Sequence, residues 1–315
     1  MQGSSRLTTT LVQVARLYYE ENCSQQQIAD QIGVSRSLIA LYLKMARQQG
    51  IVRIEVRDPA ERYEPLTVRL GKASRPTRIC PVPGSHTSPE LTRRAVGSAV
   101  ARFLDDQLHD GDVLGFGWGR AVMEVVGLLA PSKPRRIEVV PLIGESSYTG
   151  SYTELNEIIL RAARSFSGDA FFLLAPMLVD SRKLRDALLR DKGVREVADR
   201  WDRLEVACVG IGALPPAPGQ IVYIGEKNAA RYQEQGAVGD ICARYFTSQG
   251  DCLESSPYAW LLGISPEQLR KAKCVVAVAT GLQKQRAILA VLRTGLLTDL
   301  FVDEELGDAI LAEAG

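Results

Sequence analysis

Between Gln25 and Tyr42 the chain reads QQQIADQIGVSRSLIALY, a pattern that admits few folds. Ile28 and Ile32 form the inward face of a short helix, and Ala29 is small where a second helix comes closest. Gly33 supplies the positive φ that a sharp turn between helices demands. Val34 plugs the corner, and the Ser35 hydroxyl can accept a free backbone N–H of the next helix. In that helix Ile39, Tyr42, Leu43 and Ala46 bury one stripe, leaving Arg36, Ser37 and Ala40 facing elsewhere near its N-terminus. Upstream, Leu11, Val14, Ala15, Leu17 and Tyr18 predict a helix from about Thr8 to Glu21. Ser24 with Gln27 three residues later makes a capping box for the helix that follows. The pattern predicts a helix-turn-helix, a motif whose second helix enters the DNA major groove by its N-terminal end.

On that reading Arg36 is the base reader, because a guanidinium can donate two bonds to guanine O6 and N7. Ser35 and Ser37 are candidates for a base edge or a phosphate. Lys44, Arg47 and Arg53 suit phosphate contacts and equally suit solvated surface charges. After Gly50, Ile51 to Arg57 alternates as a short strand does, which predicts a small wing or a brace against the first helix. Seven basic residues face four acidic ones between Met1 and Arg57, while the remainder carries 31 basic and 33 acidic residues. A basic head on a slightly acidic body fits contact with double-stranded DNA by the head alone.

From Asp58 to Pro89 prolines are dense, which marks a semi-rigid connector and a boundary between residues 1–57 and 58–315. Within it, Glu61–Lys72 reads as a short helix and Thr77–Val82 as a strand. Past Ser88, strands alternate with helices. The strands are Asp112–Phe116, Ile137–Leu142, Ala170–Leu174, Leu204–Val209, Cys274–Ala279 and Leu297–Val302. The helices are Arg120–Leu129, Tyr152–Ser165, Ser181–Arg190, Val194–Trp201, Gln283–Thr294 and Glu304–Ala312. Continuously apolar strands separated by helices predict an α/β fold with a mostly parallel, doubly wound sheet.

Composition narrows the function classes. With 46% hydrophobic and 24% charged residues the chain is an ordinary globular protein, and it lacks a run of roughly 18 apolar residues that would span a membrane. The first ten residues have no apolar core of a signal peptide, so the cytoplasm is the expected location. The six cysteines form no closely spaced ligand pair, and neither a metal nor a cofactor is expected. His86 and His109, the two histidines, read as surface residues, which leaves little for histidine-based catalysis.

The strand ends carry the remaining signal. Gly115-Phe116-Gly117-Trp118-Gly119-Arg120 opens into a helix, Gly144-Glu145-Ser146-Ser147 follows the next strand, and Gly210-Ile211-Gly212 ends a later one. Gly236 to Asp240 reads as another glycine loop, and Thr280-Gly281-Leu282-Gln283-Lys284 starts a helix. Such loops are tight turns, or they let backbone N–H groups approach an anion at a helix N-terminus. Lys284 sits where the dipole prefers an acid, a cost that a nearby phosphate would offset.

The order of SQQQIADQIGVSRSLIALYLKMARQQGIVRIEV, GDVLGFGWGR, VGIGAL, GAVGDICARYF and VVAVATGLQKQRAILAVLRTGLLTDLFVDEELGDAIL resembles the SorC/DeoR-type sugar-responsive transcriptional regulators over nearly the whole chain. The resemblance implies a winged helix-turn-helix joined to an effector domain similar to sugar-phosphate isomerases. It also implies a homo-oligomer, a dimer or tetramer, that binds operator DNA as a repressor or activator under control of a sugar or sugar phosphate. Carried across, Gly117, Gly119, Asp240, Gly281 and Lys284 would line the effector site, with Trp118, Arg120, Glu145 and Ser146 from the neighbouring loops. Arg120 stands where a threonine or serine often contacts phosphate, Thr280 replaces a glycine, and PLIGESS departs from the common glycine-rich form. The alternative is an aldose–ketose isomerase with an accessory DNA-binding domain, for which Glu145 and Asp240 are the available carboxylate bases.

Overall fold

The computed structural model describes residues 2–52, 65–70, 75–85, 87–146, 155–215, 225–253 and 260–314. The chain divides into two compact units, Met1–Glu61 and Arg62–Gly315.

The first unit is three helices, α1 (Gln2–Tyr19), α2 (Gln25–Ile32) and α3 (Arg36–Gln48). α1 begins six residues before the predicted start, because its apolar stripe opens only at Leu7 and periodicity carries no signal ahead of it. The capping box forms as predicted: Ser24 accepts from Gln27 N, and Gln27 Oε1 accepts from Ser24 N at 2.8 Å. Gly33 has φ 77°, and its N–H donates to the Ala29 carbonyl, so the turn takes the left-handed cap that glycine adopts without strain. Ser35 Oγ accepts from Leu38 N at 3.2 Å and caps α3. Val14, Leu17, Ile28, Ala29, Ile39 and Leu43 make one small core, and Leu11, Ala15 and Ala46 another, against which Ile51 and Val52 pack. Ile51 and Val52 lie in a bend rather than a strand, and the rest of the expected wing, with Arg53, lies outside the described residues.

The second unit is built on an eight-stranded sheet. Its strands in chain order are β1 (Leu66–Val68), β2 (Thr77–Val82), β3 (Val113–Phe116), β4 (Glu138–Pro141), β5 (Asp169–Ala170), β7 (Val206–Gly210), β12 (Cys274–Val278) and β13 (Asp299–Asp303). The spatial order is β1-β2-β13-β12-β7-β3-β4-β5, parallel throughout except for β1 at the edge. The central strands β12, β7 and β3 read as apolar runs because both faces are covered. β1 corrects the sequence reading: Leu66–Val68 is a strand, not part of a connecting helix, since it pairs with Thr77–Ile79. Pro65, Arg69 and Leu70 are not helical either, and the other residues of that expected helix, with His86, fall outside the described residues.

The helices α4 (Pro89–Gln107), α5 (Arg120–Leu128) and α6 (Leu155–Phe166) carry the chain from β2 through β3 and β4 to β5. Then α7 (Arg182–Leu188) and α8 (Lys192–Trp201) return it to β7. From β7 the order runs the other way, through β12 and, by α11 (Gln285–Thr294), to β13, after which α12 (Glu304–Ala314) ends the chain. Right-handed crossovers therefore place α4, α5 and α6 on one face and α11 on the other. The direction reverses between β3 and β7, the topological switch point where sheets of this kind leave a crevice.

Two small sheets complete the unit. β6 (Leu178–Val179) pairs with β11 (Trp260–Leu261). β8 (Gly212–Ala213), β9 (Ala237–Ile241) and β10 (Arg244–Thr247) form an antiparallel sheet, with α9 (Glu226–Glu234) leading into β9 and α10 (Pro266–Lys271) preceding β12. Ala237–Asp240 is thus strand rather than glycine loop, and only Gly236 lies in the turn before it, with φ 83°. Gly239 is small because a Cβ there would lie 2.5 Å from Ala287 Cβ and 2.7 Å from the Gly212 oxygen. Among the described residues no helix is long and apolar enough to cross a membrane.

Candidate functional site

In the first unit, α3 buries Ile39, Leu43 and Ala46 and turns the opposite side to solvent. Arg36, Ser37, Ala40, Leu41, Lys44 and Arg47 are all exposed, and at 100° per residue they share one face. Ser35 is occupied as the cap, so its hydroxyl is held by Leu38 N. The face therefore presents one guanidinium at the first turn, a serine hydroxyl beside it and further cations behind, with Leu41 as an exposed apolar residue among them.

In the second unit, the carboxyl ends of β2, β13, β12, β7 and β3 border a cavity of about 1260 Å³. Register aligns those ends: Val82 pairs with Asp303, Val278 with Gly210, and Cys208 with Phe116. The cavity is lined by Trp118, Gly119 and Arg120 after β3, by Ile211 after β7, and by Thr280, Gly281 and Lys284 after β12. Asp240 reaches it from β9, where it pairs with Gly212.

Each side chain has a local reason for its position. Gly119 precedes α5 with φ 118°, a conformation open to glycine, and α5 has no side-chain cap on its first N–H groups. Gly281 has φ 93°, and its N–H donates to Asp303 Oδ2 at 2.8 Å, while Asp303 Oδ1 accepts from Leu306 N at 3.2 Å. A single 3-10 turn, Leu282–Lys284, then leads into α11. Lys284 Nζ donates to the Ile211 carbonyl at 2.7 Å. Loss of solvent around that ammonium lowers its pKa to about 8; Asp240 opposes the shift, and Arg120 and Arg93 reinforce it. Asp240 is buried, and its Oδ2 accepts from Ala243 N at 3.0 Å. That bond stabilises a two-residue turn in which Cys242 and Ala243 both have positive φ without being glycine.

Six of the nine expected effector residues line the cavity: Trp118, Gly119, Arg120, Asp240, Gly281 and Lys284. Gly117, Glu145 and Ser146 do not. Gly117 lies beneath, where a Cβ would meet Cys242 Sγ at 3.1 Å. Glu145 belongs to the start of α6: its Oε1 accepts from Asn156 N at 3.0 Å, and its backbone bonds Ala175 and Met177. Gly144 packs against that same backbone, since a Cβ would sit 2.6 Å from the Ala175 oxygen. Sequence reasoning missed Ser85, Thr87, Thr92 and Arg93, and the acidic Asp303–Glu305. The former follow β2 and begin α4, the same strand–loop–helix grammar as at β3, but the proline-rich surroundings read as linker.

Among the described residues no group of histidine, cysteine and acidic side chains is arranged to hold a metal. Burial pushes the Cys80 thiol up to about 11 and the Cys274 thiol to about 12, and those of Cys208 and Cys242 higher still, so these are unreactive core residues. The cavity thus offers cations, hydroxyls, the uncapped N–H groups of α5, the Trp118 indole and the carboxylates of Asp240, Asp303, Glu304 and Glu305. The cations and N–H donors suit an anionic group and the carboxylates suit hydroxyls, so together they fit a polar small ligand.

Comparison with known proteins agrees with this geometry. Residues 75–312 match the family described as "Putative sugar-binding domain". The chain is 28% identical over 305 residues to the sorbitol operon regulator of Klebsiella pneumoniae, covering 96% of this chain and 97% of that protein. It is 26% identical over 307 residues to the deoxyribonucleoside regulator of Bacillus subtilis (strain 168), covering 95% and 96%. The crystal structure of the full-length sorbitol operon regulator SorC from Klebsiella pneumoniae superposes with a TM-score of 0.68 at 26% identity, covering 96% of this chain and 98% of that one. The chain belongs to the SorC/DeoR family of sugar-binding transcriptional regulators.

Proposed function

We propose that the chain is a DNA-binding regulator of carbohydrate-metabolism genes whose operator affinity is set by a sugar or sugar-phosphate effector bound in the cavity. The observation that carries this reading is the convergence of Arg120, Lys284 and the Gly281 loop at the sheet's switch point. Those groups suit a phosphoryl or carboxylate group, and Trp118 and Asp240 suit the ring and its hydroxyls. Residues 1–57 read the operator through Arg36 and Ser37, with Lys44 and Arg47 on phosphates and Ser35 holding the helix. Residues 58–315 bind the effector and form the homo-oligomer, because one helix-turn-helix reads only a few base pairs and two-fold pairing doubles the contacts.

Isomerase chemistry draws less support. Aldose–ketose isomerisation needs a base beside the carbonyl carbon. Glu145 is committed to the start of α6, and Asp240 to the turn at Ala243. The discriminating experiment is a thermal-shift screen of sugars and sugar phosphates, paired with an assay for turnover. A ligand at 100 times its dissociation constant stabilises by about 2.7 kcal/mol. Binding without turnover supports the sensor; turnover that disappears in Asp240→Ala supports the enzyme.

A further inference from the structure

Behind the effector cavity lies a groove of about 440 Å³ between α4, α5 and α6, lined by Arg93, Arg94, Arg120, Arg161, Glu124 and Met123 among others. Four guanidinium groups face it and one carboxylate. Arg94 Nη1 lies 3.7 Å from Glu124 Oε1, and Arg161, while lining the groove, has Nη1 3.9 Å from the Oε1 of Glu157, which does not line it. Arg93 and Arg120 have no acidic partner among the described residues.

The helices that carry these residues are packed closely. A Cβ at Gly97 of α4 would lie 3.1 Å from Glu124 Cγ of α5, so the two helices meet there nearly backbone to side-chain stem. Gly127 leaves the groove open beside Arg161, since a Cβ there would sit 3.7 Å from Arg161 Nη2. Like charges lining one groove repel, and a multivalent oxyanion offsets the repulsion while accepting paired N–H bonds from planar guanidinium forks. Arg93 and Arg120 border both this groove and the effector cavity, so they form a shared wall.

We propose that the groove is a second anion site, taking a phosphoryl group on Arg94 and Arg161 with Arg93 and Arg120 shared between it and the effector cavity. The phosphoryl group is either the second phosphate of a bisphosphorylated effector or a free phosphate ion. In both cases the two sites couple, because an anion in one alters the charge that the shared arginines offer to the other.

Equilibrium dialysis of the full chain with radiolabelled inorganic phosphate tests the site itself. Wild-type protein binds two phosphates per chain, the double variant Arg94→Ala/Arg161→Ala binds one, and Lys284→Met loses the other. Arg94 and Arg161 are exposed and do not line the effector cavity, so their removal leaves the fold and that cavity intact. An unchanged stoichiometry in the double variant overturns the proposal and leaves the effector reading standing. Ribose 1,5-bisphosphate and ribose 5-phosphate then separate the sources. A ten-fold loss of affinity confined to the bisphosphate assigns the groove to the effector's own second phosphate; no change for either assigns it to free phosphate.

Discussion

Lys284 donates from Nζ to the carbonyl oxygen of Ile211 at 2.7 Å, joining the loop after β12 to the loop after β7 across the cavity. The ammonium is thereby fixed where Asp240 attracts it and Arg120 and Arg93 repel it. A desolvated cation that one carboxylate attracts and two guanidinium groups repel is a poor choice for stability and a good one for receiving an anion.

Lys284→Met is predicted to abolish the effector response while leaving unliganded operator binding nearly normal. A lysine whose folded pKa lies at about 8, below its ordinary value, costs stability wherever it must be charged. That cost is complete below pH 8 and is relieved as pH rises toward the unfolded value near 10.5. Urea unfolding should therefore find the variant more stable at pH 7 by on the order of 1–3 kcal/mol, a gap that closes between pH 8 and 10. A variant less stable at pH 7 would contradict the desolvation account.

Affinity for an anionic effector is predicted to fall as pH rises through about 8, because the neutral amine no longer attracts it. Isothermal titration in two buffers of different ionisation heat should also record proton uptake on binding near and above that pH, where the free amine is partly neutral. In Asp240→Asn the attraction that holds the Lys284 pKa up is gone, so the fall should begin at lower pH.

Much of this was legible in the sequence, for physical reasons. Ser24, Gln27, Gly33 and Ser35 act within three or four residues of themselves, so local spacing reveals them. The parallel strands are visible because burial on both faces forces apolar runs. What sequence could not reveal depends on contacts between distant segments. Gly239 reads as a flexible loop residue until Ala287 is known to press on it. Glu145 follows a strand as Trp118 does, but its chain turns toward Ala175 and α6 and away from the crevice. Asp303 ends a strand inconspicuously, and only the fold brings its carboxylate to Gly281 N.

Gly239→Ala is predicted to destabilise the second unit by about 1–3 kcal/mol, the cost of overpacking, because the added Cβ meets both Ala287 and the Gly212 oxygen. Displacement of β9 also moves Asp240, so effector affinity should fall along with the melting temperature. Unchanged melting and affinity would show that β9 is free to shift.

For the head, Arg36→Ala is predicted to narrow the gap between operator and random DNA by about 1–3 kcal/mol per lost base contact. Lys44→Ala should weaken both by similar factors and reduce the salt slope by about 1. Fluorescence anisotropy across a salt series separates the two behaviours. An Arg36 variant that kept full operator preference would place base reading elsewhere on α3.

The most direct test of the account is operator binding by the full chain with and without a sugar phosphate that shifts its melting temperature. The operator itself can be selected from random DNA. Saturating effector is predicted to change operator affinity at least ten-fold in wild-type protein and to leave Lys284→Met unmoved. Equal affinity with the cavity saturated and empty would contradict the claim that this cavity governs DNA binding.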